Sequence, residues 1–278
     1  MTDLLIHSMS EFSDIILGGF QAAGVAHVAE IGAEYGGMSQ KLADFTASAG
    51  GSLTSIDPAP KPAFLDWAKA NGHVHHVAKP SLDAIPTLGN VDAWVVDGDH
   101  NYYTVFHELQ AIDALCARDE KPLFAVLHDV SWPNARRDSY YAPDRIPEDW
   151  RHPYSFDAGV TLDSHDMVIG RGFRGHGQMA FATVWGGPRN GVLTAVEDFI
   201  AAAGSNERQL AFAHIPAVFG LGILFDMAAP WAADVAAIVH PYHNNELIAS
   251  LEANRLRNYL AVIEWQDREA ERLARAAA

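Results

Sequence analysis

The segment VVDGDHNYY places three titratable residues directly after a short apolar run. Asp97, Asp99 and His100 lie within four positions of one another, and a second pair, His128 and Asp129, follows the apolar run PLFAVL. Carboxylates are the ligands that hard divalent cations prefer, and an imidazole can take up a proton near neutral pH. These residue types therefore predict a metal centre or a general acid–base site at the ends of two buried strands.

The elements that position these residues alternate along residues 25–130. Apolar runs predict strands over 25–32, 52–57, 73–78, 91–99 and 122–130. Helical spacing of apolar residues predicts helices over 38–50, 61–72 and 101–117. Such alternation is typical of an α/β fold with a doubly wound, mostly parallel sheet and helices on both faces. Ligands bind beyond the carboxyl ends of parallel strands, so the polar residues that end these strands are expected to share one edge.

The remainder of the chain predicts one domain over residues 1–278 with three additions. We expect an N-terminal helical segment over 1–24 and a C-terminal helix over 243–278, which either pairs two subunits of a homodimer or covers the sheet. Residues 131–177 interrupt the alternation with many Pro, Trp, Tyr, Asp and Arg residues, and long inserts of this kind are usually functional. We interpret this insert as a substrate lid. A strand is expected over 179–186, a helix over 191–204, and a last strand or hairpin that turns near Gly220.

Charge and cysteine content exclude several classes of partner. The formal net charge is −16, and so acidic a chain repels nucleic acids and anionic membranes. The single cysteine, Cys116, excludes an internal disulfide and fits a reducing compartment. No apolar run reaches membrane-spanning length, and the first residues lack a basic region followed by an apolar one. We therefore expect a cytoplasmic protein that acts on a small molecule.

The glycine-containing turn EIGAEYGG after the first strand restricts the ligand. In a dinucleotide-binding G-x-G-x-x-G turn the second glycine makes room for the pyrophosphate, and Glu34 stands at that position. Its carboxylate would repel a diphosphate. The turn instead favours an adenosine ligand that has no phosphate and carries a positive charge, such as S-adenosylmethionine. Asp57, which ends the second strand, is expected to bond the ribose hydroxyls.

Four motifs in order resemble those of class I S-adenosylmethionine-dependent methyltransferases: VAEIGAEYGG, SIDPAP, VDAWVVDGDHNYYTVFHEL and FAVLHDV. DGDHNY and the following HDV are most similar to the branch with macrolide-sugar and rhamnosyl O-methyltransferases. The resemblance covers about residues 25–130. It implies a Rossmann-like fold with a seven-stranded, mostly parallel sheet whose last strand is antiparallel.

The resemblance also implies roles for individual residues. Glu30, Gly32 and Gly36 would contact the methionine part of the cofactor. Asp57 would contact the ribose, and Ser81 and Leu82 would contact the adenine. Asp97 would lie beside the cofactor and bind a divalent metal, and His100 would be the base that deprotonates the acceptor. Asp129 and His128 match two further metal ligands. The family pattern has an oxygen ligand where His128 stands. Oxygen ligands favour Mg²⁺, whereas His128 as a ligand favours manganese, iron or zinc, so the divalent cation is expected to be Mg²⁺ if His128 stays outside the ligand set and Mn²⁺ if it joins.

The leading hypothesis is methyl transfer from S-adenosylmethionine to a hydroxyl of a small polyhydroxylated or natural-product acceptor, assisted by a metal, with His100 as base. A metal-independent N- or O-methyltransferase of the same fold is the first alternative. A nicotinamide-dependent oxidoreductase and a non-catalytic cofactor-binding protein are the others. Glu34 argues against the oxidoreductase, and the set Asp97, His100 and Asp129 argues against the non-catalytic protein.

Overall fold

The computed structural model describes residues 8–205 and 208–277, and its central element is a seven-stranded sheet. The strands of this sheet are β1 (His27–Ile31), β2 (Ser52–Ile56), β3 (Val74–Val77), β4 (Ala93–Val96), β5 (Phe124–His128), β11 (Leu210–Ile215) and β12 (Leu221–Asp226). They lie in the order β11-β12-β5-β4-β1-β2-β3. Only the pairs that include β12 are antiparallel. The predicted mostly parallel sheet with an antiparallel last strand is thus confirmed.

Helices cover both faces of this sheet. They are α1 (Ser13–Ala22), α2 (Gly37–Ser48), α3 (Pro62–Ala70), α4 (Ser81–Ala84), α5 (Tyr102–Arg118), α6 (Val192–Gly204), α7 (Ala232–Val239) and α8 (Glu246–Ala277). One apolar core, with Phe20, Leu42 and Phe64, lies under α1, α2, α3 and α7. The other, with Trp94 and Leu109, lies under α4, α5 and α6. Residues 1–7 of the predicted N-terminal segment and residue 278 of the predicted C-terminal helix lie outside the described residues.

A hydrogen-bonded cap fixes the chain between β4 and α5. The side chain of Asn101 accepts a hydrogen bond of 2.9 Å from the backbone N–H of Thr104, as an N-cap residue does. Asn101 is fully buried, so the cap is protected from water. Because His100 directly precedes the cap, its backbone is held at the carboxyl edge of the sheet.

The strand predicted over 179–186 forms outside the seven-stranded sheet. It is shortened to β10 (Ala180–Ala182), which pairs with β6 (Ser139–Tyr140) and β7 (Tyr154–Ser155) in a separate three-stranded sheet. The strands β8 (Ala158–Gly159) and β9 (Val168–Ile169) form a further pair. An apolar run predicts a strand but does not identify its partner, and here the partners belong to the same insert. The insert therefore includes all residues between β5 and α6.

A buried carboxylate attaches this insert to the starts of α5 and α6. Asp138 Oδ1 accepts hydrogen bonds of 2.7 Å from the backbone N–H groups of Tyr102 and Gly191, and Oδ2 accepts one of 2.8 Å from the Tyr140 hydroxyl. Tyr102 begins α5 and Gly191 precedes α6. The insert is consequently held against the same helix start that positions His100.

The terminal helix α8 also contacts the insert. Arg174 bonds both carboxylate oxygens of Asp267, at 2.6 and 3.0 Å, and Arg171 bonds Glu271 at 2.6 Å. Leu247 on α8 remains exposed, and the homodimer through this helix stays a prediction. Within the described part of the chain, no helix combines the length and the apolar character that crossing a membrane requires.

Candidate active site

Three side chains converge at the carboxyl edge of β4 and β5. Asp97, His100 and Asp129 each offer one atom of a type that can bind a metal, and these atoms all lie within 4.8 Å of one another. Asp97 follows β4, His100 precedes α5, and Asp129 follows β5, which pairs with β4 in parallel. The two predicted carboxylates are therefore brought together, and the third member of the cluster is His100.

Asp129 combines an unfavourable backbone conformation with a buried carboxylate oxygen that has no hydrogen-bond partner in the described part of the chain. Its residue is 5% exposed, its φ is +60°, and its Oδ1 is buried without a hydrogen-bond partner in the described structure. A non-glycine residue in the left-handed region costs on the order of 1 kcal/mol or more, and such residues cluster at functional sites. A buried unpartnered carboxylate oxygen also calls for a cation or a donor. Both features point to a ligand at this position.

His100 faces Asp129 through one ring nitrogen. Nδ1 lies 3.3 Å from Asp129 Oδ2, whereas Nε2 has no protein partner among the described residues. We assign the proton of the neutral ring to Nδ1, because a proton on that nitrogen lies within ion-pair distance of the Asp129 carboxylate. The free lone pair is then on Nε2, which is the arrangement that a general base requires. The ring of Tyr141 lies beside that of His100, with 6.1 Å between their centroids.

His128 differs from its predicted role as a metal ligand. Its Nδ1 lies 3.1 Å from Asp97 Oδ1 and 3.5 Å from Asp129 Oδ2, and its Nε2 lies 2.9 Å from the carbonyl oxygen of Val218. Burial lowers the pKa of His128, but the two carboxylates and the hydrogen bonds outweigh it and raise the pKa to about 9. A ring that donates from both nitrogens has no lone pair for a metal. In this structure His128 acts as the positive partner of Asp97 and Asp129.

The glycine turn after β1 touches the backbone of the neighbouring strand. Gly32 has a φ of +88°, and a Cβ atom there would lie 2.1 Å from the carbonyl oxygen of Asp97. Gly36, with a φ of +82°, is the N-cap of α2. Only glycine adopts both conformations without strain. The turn therefore approaches Asp97 more closely than any residue with a side chain would allow.

Glu30 is buried rather than displayed at the edge. Its Oε2 accepts hydrogen bonds from the hydroxyls of Ser39, at 2.6 Å, and Ser55, at 2.8 Å. Burial raises the pKa of Glu30 to about 7, although these two hydrogen bonds act in the opposite direction. The predicted contact with the methionine part of a cofactor stays a prediction. What the structure shows is that Glu30 joins β1, α2 and β2 below the glycine turn.

Asp57 holds the glycine turn in place. Its Oδ2 accepts hydrogen bonds of 3.0 Å from the N–H groups of Ala33 and Glu34, and Oδ1 accepts one of 2.8 Å from that of Ala59. A carboxylate has about four lone-pair positions, so three are in use. The bidentate contact with two ribose hydroxyls expected from the sequence would need one of these bonds to be exchanged.

A buried carboxyl group that the sequence analysis did not predict, that of Glu108, lies near Ser81, one of the two residues predicted to contact the adenine. Ser81 and Leu82 begin α4, both half-buried, and the Ser81 hydroxyl lies near Glu108 on α5. Glu108 is fully buried, and neither of its carboxyl oxygens has a hydrogen-bond partner among the described residues. Burial raises its pKa to about 8; Ser81 opposes this shift and Asp99 adds to it. A signal for it existed, since Glu108 is next to Leu109 on the apolar side of the helix pattern.

The donor set fits a divalent cation and a cofactor of the expected class. Asp97 and Asp129 offer carboxylate oxygens, with Asp129 Oδ1 unpartnered, and hard cations prefer such ligands. The close approach of Gly32 to the backbone of Asp97 brings the glycine turn next to the carboxylate cluster. The exposed Glu34 beside it disfavours a pyrophosphate.

Comparison with known proteins places this site in a matched segment. Residues 29–129 match the model of a family described as a methyltransferase domain, which spans β1 to Asp129. The structure is similar to that of the SAH-bound Podospora anserina methyltransferase PaMTH1, with 16% identity, 81% of each chain covered and a TM-score of 0.48. It is also similar to a Bacillus cereus O-methyltransferase in complex with SAH, with 12% identity, 79% of this chain and 81% of that chain covered, and a TM-score of 0.47. No curated protein matches the sequence. The seven-stranded, mostly parallel sheet with helices on both faces is a Rossmann-like architecture.

Glu108 should make the stability of the fold depend on pH. Its folded pKa of about 8 lies above the ordinary value of 4.5, so the folded state holds a proton that the unfolded state releases. Stability must then fall as pH rises from 5 to 8, by roughly 3–5 kcal/mol from this residue. Urea unfolding at several pH values should show that Glu108→Gln flattens this decline. The exposed Glu148→Gln should leave it unchanged, and parallel profiles for Glu108→Gln and the wild type would contradict the assignment.

Proposed function

We propose that the protein is an S-adenosylmethionine-dependent methyltransferase that acts on a hydroxyl of a small polyhydroxylated or natural-product acceptor. The observation that carries the proposal is the cluster of Asp97, His100 and Asp129 at the carboxyl edge of a sheet segment that matches a methyltransferase domain. A general base is of use for a hydroxyl acceptor, because an alcohol is a weak nucleophile until its proton is removed.

His100 is the base in this proposal. Nε2 takes the proton of the acceptor hydroxyl, and the charge that develops on the ring is stabilised by Asp129 at Nδ1. Correctly placed proton transfer contributes about 10²–10⁴-fold to a rate. The low exposure of both residues limits competition from water.

The cofactor supplies a methyl group on a positively charged sulfur. We place it against the glycine turn at Gly32, with Asp57 at the ribose and Ser81 and Leu82 at the adenine. The acidic edge formed by Asp97 and its neighbours favours a cationic ligand over a nicotinamide dinucleotide, whose pyrophosphate Glu34 would repel. This arrangement also gives the oxidoreductase alternative no support.

A divalent cation, Mg²⁺ or Mn²⁺, would be held by Asp97 and Asp129. When bound, such an ion lowers the pKa of a coordinated hydroxyl and orients it. The unpartnered Oδ1 of Asp129 supports this part of the proposal. For the cation to bind, the positive charge of His128 must be offset or its proton lost.

The second candidate is a metal-independent methyltransferase of the same fold, and a specific observation favours it. The ring of His128 already lies between the two carboxylates, at 3.1 Å from Asp97 and 3.5 Å from Asp129. It can supply the positive charge that a metal would otherwise bring. In this form His100 and Asp129 carry the proton transfer alone, and the acceptor is a hydroxyl or an amine.

Cofactor binding tests the proposal without knowledge of the acceptor. Calorimetry should show that the protein binds S-adenosylhomocysteine and not NAD. Asp57→Ala removes the proposed ribose contact as well as the three hydrogen bonds that hold the glycine turn. It should raise the dissociation constant roughly 10–100-fold, because a hydrogen bond to a charged group is worth about 1.5–3 kcal/mol. Asp66→Ala, an exposed change on α3, is the control with wild-type affinity expected. Binding of NAD in preference to S-adenosylhomocysteine would reject the proposed cofactor.

Turnover tests the base and the metal separately. Transfer of a labelled methyl group to a panel of sugars and phenols should fall by about 10²–10⁴-fold in His100→Gln and Asp129→Asn, while both variants still bind S-adenosylhomocysteine. Chelation should abolish wild-type turnover, and Mg²⁺ or Mn²⁺ should restore it. Full activity after chelation would exclude the metal and favour the second candidate, and an active His100→Gln would exclude the proposed base.

A further inference from the structure

The insert contains a cavity separate from the cluster at the sheet edge. Its volume is about 230 Å³. Its walls combine apolar or aromatic side chains with a cationic one, including Trp132, Val160, Leu162, Trp185, His165 and Arg137. A cavity of this size is smaller than the 300–1,000 Å³ typical of drug-sized ligands, so it suits a ligand of fragment size.

Arg137 is the unusual member of this lining, because it is buried without an anionic partner. It is 2% exposed; its Nη1 donates to the carbonyl oxygen of Ala182 at 2.5 Å, and its Nη2 donates to that of His165. No carboxylate in the described part of the chain forms an ion pair with it, and Asp166 acts on it only from a greater distance. Two neutral carbonyl groups orient the guanidinium but do not neutralise it.

The neighbouring Arg136, unlike Arg137, has its charge paired with a carboxylate. Arg136 also lines the cavity, but it bonds both carboxylate oxygens of Glu197, at 2.5 and 2.7 Å. Burial lowers the pKa of Arg137, which expresses the cost of an unpaired charge in this position. A guanidinium keeps its charge in proteins, so the cost is relieved by an anion and not by loss of a proton.

The shape of the lining adds a second requirement. The ring of His165 stacks on that of Trp185 with 3.6 Å between centroids and an angle of 11° between planes. The indole N–H of Trp132 is used by the carbonyl oxygen of Thr161, at 3.2 Å, so this ring offers an apolar surface. A flat apolar group fits such walls better than a hydrated inorganic ion does.

We propose that this cavity binds a small organic anion whose apolar body packs between Trp132, Leu162 and Trp185 and whose carboxylate or phosphate pairs with Arg137. A guanidinium recognises both groups through paired N–H donors. The proposal does not depend on the methyltransferase activity, because binding is measured on the protein alone.

Calorimetry with three probes tests this site. trans-Cinnamate and phenyl phosphate carry the anion, and cinnamamide is the neutral match of the first. At least one anion should bind at least tenfold more tightly than cinnamamide, and the tighter anion identifies the group that Arg137 prefers. Equal affinity for cinnamate, phenyl phosphate and cinnamamide, or no binding of either anion, would overturn the proposal.

Variants assign the binding to the cavity. Arg137→Gln should abolish the preference for the anion, whereas the exposed Arg118→Gln, which removes one positive charge elsewhere, should retain it. Ser164→Trp places a large side chain on the exposed side of the cavity and leaves residue 137 an arginine. It should weaken binding at least tenfold, which decides the question if Arg137→Gln does not fold. Wild-type affinity for the anion in a folded Arg137→Gln or in Ser164→Trp would place the binding elsewhere and overturn the proposal.

Discussion

The buried carboxylate of Asp129, which lies at ion-pair distance from two histidines, is the group on which the rest of the site depends. It lies 3.3 Å from His100 and 3.5 Å from His128, in a backbone conformation that residues other than glycine rarely adopt. A buried anion is stable only with positive charge or donors around it. His128, the last residue of β5, supplies positive charge. His100 places Nδ1 near the carboxylate, and its Nε2 has no protein partner among the described residues.

The fold brings Asp97, His100 and Asp129 together at the carboxyl edge of β4 and β5. Parallel pairing of β4 with β5 brings Asp97 and Asp129 to the same edge of the sheet. The Asn101 cap fixes the start of α5, so the preceding residue, His100, lies at this edge as well. Asp138 then attaches the insert to the start of α5. The same few residues therefore connect the sheet, the helix start and the insert.

Much of this framework can be predicted from local sequence. The features that could not be predicted are those that depend on residues distant in the chain. Alternating strands and helices predict the sheet, and the polar residues at strand ends predict the edge where Asp97, His100 and Asp129 meet. The role of His128 could not be predicted, because it depends on the carbonyl group of Val218, 90 residues away in the chain. The sheet in which β10 lies and the loop bonds of Asp57 likewise depend on tertiary pairing that no motif records.

The tautomer of His100 tests the central claim most directly. With the ring neutral, ¹⁵N NMR of the histidine side chains reports which nitrogen carries the proton. The account predicts a proton on Nδ1 and a bare Nε2, together with a shift toward the Nε2–H form when Asp129 is replaced by asparagine. A wild-type His100 protonated on Nε2 would contradict it, because the nitrogen that must accept the acceptor's proton would already be occupied.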